Sequence, residues 1–238
     1  MAEPGSSNAD PAVGDAHHAQ AHITHFWNTV AASYEAHGGN VAEYGSPGYH
    51  QWVGALASAL PDPPAEVLDV ASGSGYAALA AASLGHRVMA TDLAPAMLEV
   101  LAEHATARGL SVDARLGDAV HPDFPPGSFD AVTSRHLLWT LRQPARAMAN
   151  WRDLLRPGGR LVVVDGFWFA DWDDDVPALF AENYTADTRA ELPFMQLDEP
   201  EPVLHALSAA GFVDLAAEAR PDLALDSGVP YLITATKP

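Results

Sequence analysis

The stretch EVLDVASGSGYAALAAA, residues 66–82, decides the fold of this 238-residue chain. Its first five residues are mostly Val and Leu, which is typical of a strand buried in a parallel sheet. Gly73 and Gly75 then allow the backbone to turn tightly and to approach a ligand closely. The alanine-rich run that follows begins a helix, whose first backbone amides are free to bind an anion. The stretch therefore predicts a strand, a glycine loop and a helix arranged around a ligand.

Two cofactors fit such a loop. The run from Gly73 to Ala78 satisfies the Gly-x-Gly-x-x-Gly/Ala pattern of dinucleotide-binding proteins. Asp69, however, lies at the end of the strand, where a carboxylate repels a pyrophosphate and attracts an ammonium group. S-adenosylmethionine (SAM) carries both an ammonium and a carboxylate on its methionine end. The acid beside free amides therefore favours SAM, and a cofactor of the NAD(P) type is the alternative.

The same stretch resembles the first motif of the class I SAM-dependent methyltransferases, which is typically an acid, one residue of any type, and Gly-x-Gly-x-Gly. Ala71 stands where that family has its first glycine. Alanine is the smallest residue with a Cβ, so we expect this departure to move the loop only slightly. The resemblance implies a cofactor-binding role for five residues of the stretch: Asp69, Ala71, Ser72, Gly73 and Gly75.

The composition of the chain excludes several classes of function. It has 31 acidic residues against 12 Lys and Arg, and the resulting formal charge of -19 opposes binding to nucleic acids or anionic membranes. It has no cysteine, and therefore neither a disulfide framework nor a thiol nucleophile. No long apolar run is present to span a bilayer or to act as a signal peptide. We expect a cytoplasmic protein with a small-molecule substrate, and no oligomeric state is predicted.

The second predicted strand, residues 87–91, also ends at an acid. Asp92 lies about 20 residues past the glycines, the spacing at which an acid accepts hydrogen bonds from ribose hydroxyls. The resemblance implies that Leu93 and Met97, which follow it, sandwich the adenine ring. The other role for Met97 is that of a core residue facing the sheet.

A third predicted strand, residues 111–116, is followed by Gly117, Asp118 and Ala119. In the methyltransferase family an acid at this place accepts a hydrogen bond from the adenine amine, and the next backbone amide faces the ring. The resemblance assigns these roles to Asp118 and Ala119. Three further residues complete the predicted cofactor-binding set: Tyr34, Gly117 and Ser134.

The fourth predicted strand, residues 129–134, leads into Arg135 and His136. Ligands of parallel sheets bind at the carboxyl ends of the strands, so reacting groups are expected in the loop that follows. The Arg-His-Leu-Leu-Trp run and the later Leu-Arg-Pro-Gly-Gly turn resemble bacterial methyltransferases of ubiquinone and menaquinone biosynthesis. His136 is the candidate base, because its ordinary pKa lies nearest neutrality. A structural hydrogen bond at the strand end is the other role for this side chain.

Strands and helices alternate from residue 66 to residue 165, which predicts a parallel sheet with helices on both faces. The resemblance adds the two last strands, 212–219 and 229–236, as an antiparallel hairpin at one edge. We therefore predict an α/β, doubly wound, Rossmann-like fold with a seven-stranded, mostly parallel sheet. Residues 21–238 form a single methyltransferase domain in this prediction, and residues 1–20 form a disordered tail.

Residues 21–62 are predicted to form an N-terminal helical lid. Trp27, Ala31, Tyr34 and Glu35 match a pattern that, in the family, lies on a helix that closes over the cofactor. For Trp27 a lid contact and plain packing are weighed evenly, and for Tyr34 a cofactor contact is favoured.

Residues 166–198 are predicted to be an insertion that caps the substrate. Aromatic residues alternate there with the acids of residues 171–175, an arrangement that can hold a cationic or amine substrate or can be a solvated acidic loop. The candidate substrate-binding residues of the whole chain are aromatic or histidine: Trp27, Tyr49, His50, Trp139, Phe167, Trp168 and Trp172.

The predicted function is methyl transfer from SAM to a small molecule, an amine or aromatic specialised metabolite, with nitrogen slightly favoured over oxygen or carbon. Arg135 and His136 are the candidate catalytic residues. The alternatives are an NAD(P)-dependent oxidoreductase and a SAM-binding module without catalysis. Four histidines cluster near the N-terminus, but imidazoles on a mobile tail more often bind nothing specific, and no metal site is predicted: His17, His18, His22 and His25.

Overall fold

The computed structural model describes residues 11–34, 43–170, 176–223 and 228–238. The helices of this part of the chain are α1 (Pro11–Val30), α2 (Pro47–Ala59), α3 (Tyr76–Ser83), α4 (Pro95–Arg108), α5 (Pro144–Leu154), α6 (Ala178–Asn183), α7 (Ala186–Ala190) and α8 (Glu201–Ala209). The strands are β1 (Glu66–Val70), β2 (Arg87–Asp92), β3 (Asp113–Leu116), β4 (Phe129–Arg135), β5 (Leu155–Asp165), β6 (Val213–Ala219) and β7 (Tyr231–Thr236).

The seven strands of the described residues form one sheet in the order β3-β2-β1-β4-β5-β7-β6. The first five strands of this order pair in parallel, whereas β7 pairs antiparallel with both β5 and β6. The chain order reverses beside β1, between β2 and β4, which is the topological switch point at which such sheets bind ligands. The predicted fold class and the antiparallel hairpin at one edge are confirmed.

Helices cover both faces of the sheet because successive side chains of the strands point to opposite faces. On one face, Leu68 and Val132 pack with Met148 and Trp151 of α5. On the other face, Val67 packs with residues of α2 and α3. Buried strands with both faces covered explain the nearly continuous Val and Leu runs of the sequence.

The N-terminal helix differs from the sequence prediction. Helix α1 begins at Pro11, so that residues 11–20, predicted as part of a disordered tail, are helical. Alanine recurs in this segment and has the highest intrinsic helix propensity, and Ala19 is buried. The helix ends at Val30 and continues as a single 3-10 turn to Ser33. Glu35, the last residue of the pattern that predicts the lid, lies outside the described residues.

Helix α2 begins at a capping serine, with the Ser46 hydroxyl accepting a hydrogen bond of 3.2 Å from the amide of Tyr49. Within the described residues, none of the helices combines the length and the apolar composition needed to cross a bilayer.

Candidate functional site

A cleft opens at the carboxyl ends of β1, β2 and β4, and we call it the cofactor cleft. It encloses about 950 Å³, including its open mouth, and α1 lines its outer side through Gln20, Ile23, Thr24 and Trp27. Eleven of the thirteen predicted cofactor-binding residues line it: Tyr34, Asp69, Ala71, Ser72, Gly73, Asp92, Leu93, Met97, Gly117, Asp118 and Ala119.

The loop between β1 and α3 has three residues with a left-handed backbone. Their φ angles are 51° at Ala71, 53° at Gly73 and 92° at Gly75. Glycine adopts this conformation without steric cost, whereas a residue with a Cβ does not. The alanine that departs from the family motif therefore stands at a position where the backbone itself favours glycine.

Asp69 is buried at the floor of the cofactor cleft, with 1% of its surface exposed. One carboxylate oxygen accepts a hydrogen bond of 2.8 Å from the Thr133 hydroxyl. The other oxygen, Oδ2, is buried and has no hydrogen-bond partner among the described residues. Burial raises the pKa of Asp69 to about 7. The Thr133 hydroxyl and, more weakly, the Ala78 backbone amide oppose this rise, and the charge of Asp92 adds to it. The geometry leaves this carboxylate in need of a cation or a hydrogen-bond donor.

Asp92 links the glycine loop to the start of α4. Its two oxygens accept hydrogen bonds from the amide of Gly73, at 2.9 Å, and from the amide of Ala94, at 2.8 Å. Burial raises the pKa of Asp92 above its ordinary value, and these two hydrogen bonds oppose the rise. A carboxylate has about four acceptor sites. Asp92 therefore keeps acceptor sites for a diol in the cleft while it holds the loop.

The far end of the cleft combines an acid with apolar walls. Asp118 is half-buried, and one of its oxygens accepts a hydrogen bond of 2.8 Å from the amide of Val120. Met97, from the first turn of α4, is buried and lines the same end together with Leu93 and Ala119. Met97 also packs on Ala31 and Ala94, so it is both a core residue and a wall of the cleft.

Two of the predicted cofactor-binding residues do not line the cleft. Gly75 is the N-cap of α3, and a Cβ at this position would lie 2.6 Å from Cγ of Leu101. Close packing of the loop against α4 therefore requires this glycine. Ser134 is buried within β4, and its hydroxyl has no hydrogen-bond partner among the described residues.

A second cleft adjoins the first, and we call it the aromatic cleft. It encloses about 1210 Å³, including its open mouth, and is lined largely by rings of α1, α6 and the loops after β4 and β5: Phe26, Trp27, Trp139, Trp168, Phe169 and Phe180. Trp27, Tyr34 and His136 line both clefts. None of the described residues that line the aromatic cleft is an acid. These three shared side chains form the boundary between the two clefts.

His136 and Arg135 are at the carboxyl end of β4, as predicted, and both line the cofactor cleft. The Arg135 guanidinium lies over the ring of Tyr76, 4.6 Å from its centroid, and 5.6 Å from that of Trp52. Burial and the neighbouring charge of Arg135 hold the pKa of His136 well below its usual range. His136 is therefore a neutral imidazole near pH 7.

Several predicted substrate-binding residues lie away from both clefts. Tyr49 is buried on α2, with its ring 5.9 Å from that of Tyr76, and His50 is exposed to solvent. Phe167 packs against Tyr231, with ring centroids 5.4 Å apart. The structure thus brings Trp27, Trp139 and Trp168 to the aromatic cleft and does not bring these three residues there. Trp172 lies outside the described residues.

Two histidines of α1, His18 and His22, contact each other through their side chains. The Nε2 atoms of His18 and His22 lie 3.1 Å apart, on a part of the helix that faces away from the cofactor cleft. In the described part of the chain, no group of three or more histidine or acidic side chains is arranged to hold a metal ion. The side chain of His17 lies outside the description.

Sequence reasoning missed two contacts by which α1 is held over the cofactor cleft. The Asn28 Oδ1 accepts a hydrogen bond of 3.1 Å from the amide of Ala96, in the first turn of α4. The Arg142 Nε donates a hydrogen bond of 3.0 Å to Oε1 of Gln20. Polar residues on an otherwise apolar helix face were the available signal, but their partners are 68 and 122 residues away in sequence.

The residues of the cofactor cleft fit SAM. The buried, unpartnered Oδ2 of Asp69 suits an ammonium group. A Cβ at Gly73, which lines the cleft, would meet no atom within 4 Å, so this side of the loop is open to a ligand. Asp92 has acceptor sites for a ribose diol, and Asp118 has a second carboxylate oxygen for an amine.

Comparison with known proteins supports the same cofactor. Residues 68–163 match the family model described as a methyltransferase domain. The chain is 30% identical over 173 residues to a demethylmenaquinone methyltransferase of Deinococcus radiodurans, an alignment that covers 66% of this chain and 72% of that protein. It is 37% identical over 107 residues to a ubiquinone biosynthesis O-methyltransferase of Xanthomonas campestris, covering 44% of this chain and 45% of that protein.

Among solved structures, the phosphoethanolamine N-methyltransferase 2 of Haemonchus contortus in complex with SAM shares the fold, with a TM-score of 0.63 at 21% identity. The match covers 89% of this chain and 57% of that one. Three observations agree: an acid lies near the end of β1 and another at the end of β2, a glycine loop lies between these strands, and one relative is matched over most of its length. The chain belongs to the class I SAM-dependent methyltransferases, and SAM is its cofactor.

Proposed function

We propose that this protein transfers a methyl group from SAM to a small molecule with an aromatic or apolar body, bound in the aromatic cleft. One observation carries the proposal: Trp27, Tyr34 and His136 line both the cofactor cleft and the aromatic cleft. SAM in the cofactor cleft and an acceptor in the aromatic cleft would meet at the boundary that these three residues form. Held in such proximity, two reactants need little further assistance to react.

When bound, SAM supplies an electrophilic methyl group on its sulfonium. The residues of this chain supply the surroundings. The rings of the aromatic cleft give broad apolar walls of the kind that bind small molecules and exclude water. Neutral His136 can accept a hydrogen bond or a proton from the acceptor, and the formal charge of -19 disfavours nucleic acids as substrates.

For the acceptor atom we propose nitrogen slightly ahead of oxygen or carbon. The names of the relatives do not decide it, because one is an O-methyltransferase and a fold neighbour is an N-methyltransferase. The lowered pKa of His136 makes its imidazole a weak proton acceptor. A neutral amine carries its own lone pair and needs little help from a base, whereas a phenol or a carbon acid needs more.

The test is a methylation assay with acceptors offered as matched pairs, an aromatic amine and the phenol of the same ring system. Product mass and release of S-adenosylhomocysteine are measured for the wild type and for His136→Asn, because asparagine tolerates a left-handed backbone better than alanine. His205→Ala, an exposed histidine of α8, is the matched control. Loss of a required base lowers the rate by about 100- to 10,000-fold.

If His136→Asn slows the phenol far more than the amine, the imidazole acts as a base for oxygen and the amine does not require it. Methylation of the phenols alone would overturn the preference for nitrogen. No methyl transfer to any aromatic acceptor, with SAM binding intact, would overturn the proposed substrate class.

A further inference from the structure

The backbone of His136 is in a conformation that needs outside support. Its φ of 56° lies in the left-handed region, which residues with a Cβ seldom occupy. The His136 amide donates a hydrogen bond of 3.0 Å to the carbonyl oxygen of Val164 in β5. Two residues later, the Leu138 amide donates a hydrogen bond of 2.6 Å to Oδ2 of Asp165. The turn that presents His136 is thus fastened at both ends to the end of β5.

The surroundings of Asp165 hold its carboxylate in place. It is buried, with 1% of its surface exposed, and its other oxygen, Oδ1, accepts a hydrogen bond of 2.9 Å from the Gly166 amide. A buried carboxylate is costly to keep unless it is hydrogen-bonded. Asp165 lines neither cleft, so it has no direct part in binding cofactor or acceptor.

Trp168, on the segment after β5, holds the His136 side chain. The two rings meet edge to face, with centroids 4.4 Å apart and an interplanar angle of 73°. Gly166 makes this packing possible, since a Cβ there would lie 2.4 Å from Cε2 of Trp168. No described residue gives the His136 imidazole a hydrogen bond, so its orientation is set by packing and by the turn. The imidazole lines both clefts without a hydrogen bond that would hold it in place.

We infer that Asp165 and Trp168 are positioning residues: Asp165 fixes the left-handed turn after β4, and Trp168 fixes the imidazole of His136 at the boundary of the two clefts. The inference deepens the proposed function and rests on it for the identity of the reaction. The packing itself can be tested without any acceptor. Among the described residues, the charge that acts on His136 is that of Arg135 beside it. Arg135 in turn interacts electrostatically with Asp69 of β1 and Asp165 of β5, and Tyr34 lines both clefts together with His136.

The first experiment follows the titration of the His136 imidazole by NMR in the full-length protein, with the signal assigned by its loss in His136→Asn. The variants are Trp168→Ala, Trp168→Phe and, as a matched loss of aromatic packing far from both clefts, Phe212→Leu. Removing the indole hydrates the imidazole, so Trp168→Ala should raise the pKa of His136 toward about 6.5. Trp168→Phe and Phe212→Leu should leave it low. An unchanged titration in Trp168→Ala would overturn the role of Trp168.

The second experiment compares Asp165→Asn with the wild type in SAM binding and methyl transfer. A misplaced imidazole should lower kcat by about tenfold to 100-fold, while the Kd for SAM, measured by calorimetry, stays within about twofold. Wild-type kcat in a folded Asp165→Asn variant would overturn the role of Asp165.

If Asp165→Asn fails to fold, the wild-type protein still provides a test. Burial raises the pKa of Asp165 to about 7. The amide proton of Leu138 should therefore shift with a midpoint near this pH. A Leu138 amide that exchanges with solvent as fast as an unprotected amide would show that its hydrogen bond to Asp165 is absent, and would overturn the inference. Failure to find an acceptor would count against the proposed function and would leave these NMR results unaffected.

Discussion

The Thr133 hydroxyl donates a hydrogen bond of 2.8 Å to Asp69, and this bond connects the middle of β4 to the floor of the cofactor cleft. It satisfies one carboxylate oxygen of Asp69, while the other is buried without a partner in the described part of the chain. The pair therefore forms half of a site for a cation, and the unsatisfied oxygen makes the site responsive to pH.

The affinity for SAM should fall as the pH is lowered below about 7. Burial raises the pKa of Asp69 to about 7, so the empty cleft takes up a proton below this pH, and an ammonium group must displace it. Binding in this range should weaken by up to about tenfold per pH unit. Calorimetry in buffers of different ionisation enthalpy measures both the affinity and the proton released.

Thr133→Val is the control for this prediction. The Thr133 hydrogen bond lowers the pKa of Asp69, so its removal should move the midpoint of the pH dependence upward. An unmoved midpoint would assign the proton to another group, of which Asp165 is the nearest in pKa. The stability of the ligand-free protein should depend on pH in the opposite direction to the affinity for SAM. The pKa of Asp69 is higher in the folded state than in the unfolded chain. The contribution of this group to the free energy of unfolding therefore decreases as the pH rises from about 4 to about 7.

Asp92→Ala should weaken SAM binding by more than about tenfold. The carboxylate accepts hydrogen bonds from the amides of Gly73 and Ala94, so its loss frees the glycine loop as well as removing the acceptor for a ribose diol. Loss of one charged hydrogen-bonding partner typically costs about 1.5 to 3 kcal/mol. Asp92→Asn retains one acceptor oxygen and should lose less. Wild-type affinity in Asp92→Ala, measured by calorimetry, would refute the ribose assignment.

Ala71→Gly should stabilise the ligand-free protein. The φ of 51° at Ala71 costs about 1 kcal/mol in a residue with a Cβ, and glycine removes this cost at some loss of chain entropy. We expect a gain of about 0.5 to 1 kcal/mol in the free energy of unfolding, measured with urea. Ala82→Gly, in the ordinary helical backbone of α3, is the control and should cost about 1 kcal/mol. Equal losses in both variants would show that position 71 is not strained.

The cofactor half of the site was predictable because parallel strands bring their carboxyl ends to one edge. An acid near the end of β1, one at the end of β2 and one after β3 were enough to place Asp69, Asp92 and Asp118 in one cleft. The same reasoning would have found Asp165, which ends β5. Its role depends on the Leu138 amide, and backbone donors carry no signal in a sequence.

The substrate half was less predictable, because an aromatic residue can serve either a core or a cleft. Tyr49 shares its helix face with Trp52 and Leu56, three and seven residues on, and the buried stripe of α2 includes all three. Helical periodicity would have assigned it to the core. The early start of α1 was missed because composition alone predicted a polar tail, whereas the recurring alanines of residues 11–20 favour a helix.

Gly73→Ala and Gly75→Ala should affect different properties, although both replace a glycine with positive φ. A Cβ at Gly75 would lie 2.6 Å from Leu101, so Gly75→Ala should lower the free energy of unfolding by about 1 to 3 kcal/mol or more. A Cβ at Gly73 meets no atom within 4 Å and lies beside the cofactor cleft. Gly73→Ala should therefore mainly weaken SAM binding, by about tenfold or more. Thermal unfolding and calorimetry distinguish the two, and similar results for both variants would contradict the geometry of the loop.

Helix α1 should act as a lid that SAM stabilises. Asn28 should link the order of α1 to the binding of SAM. The Asn28 side chain accepts a hydrogen bond from the amide of Ala96 in α4, and the first turn of this helix contributes Met97 to the cofactor cleft. Ligand binding that fixes α4 should therefore fix α1, and hydrogen exchange of residues 18–30 should slow when SAM is added. Asn28→Ala removes this hydrogen bond and also the one that Nδ2 of Asn28 donates to the Thr24 carbonyl oxygen within α1. It should therefore reduce this protection and weaken SAM binding by about threefold to tenfold. His25→Ala, on the exposed face of the same helix, is the matched control and should change neither quantity. Exchange rates in α1 that are the same with and without SAM would make this helix a fixed part of the core.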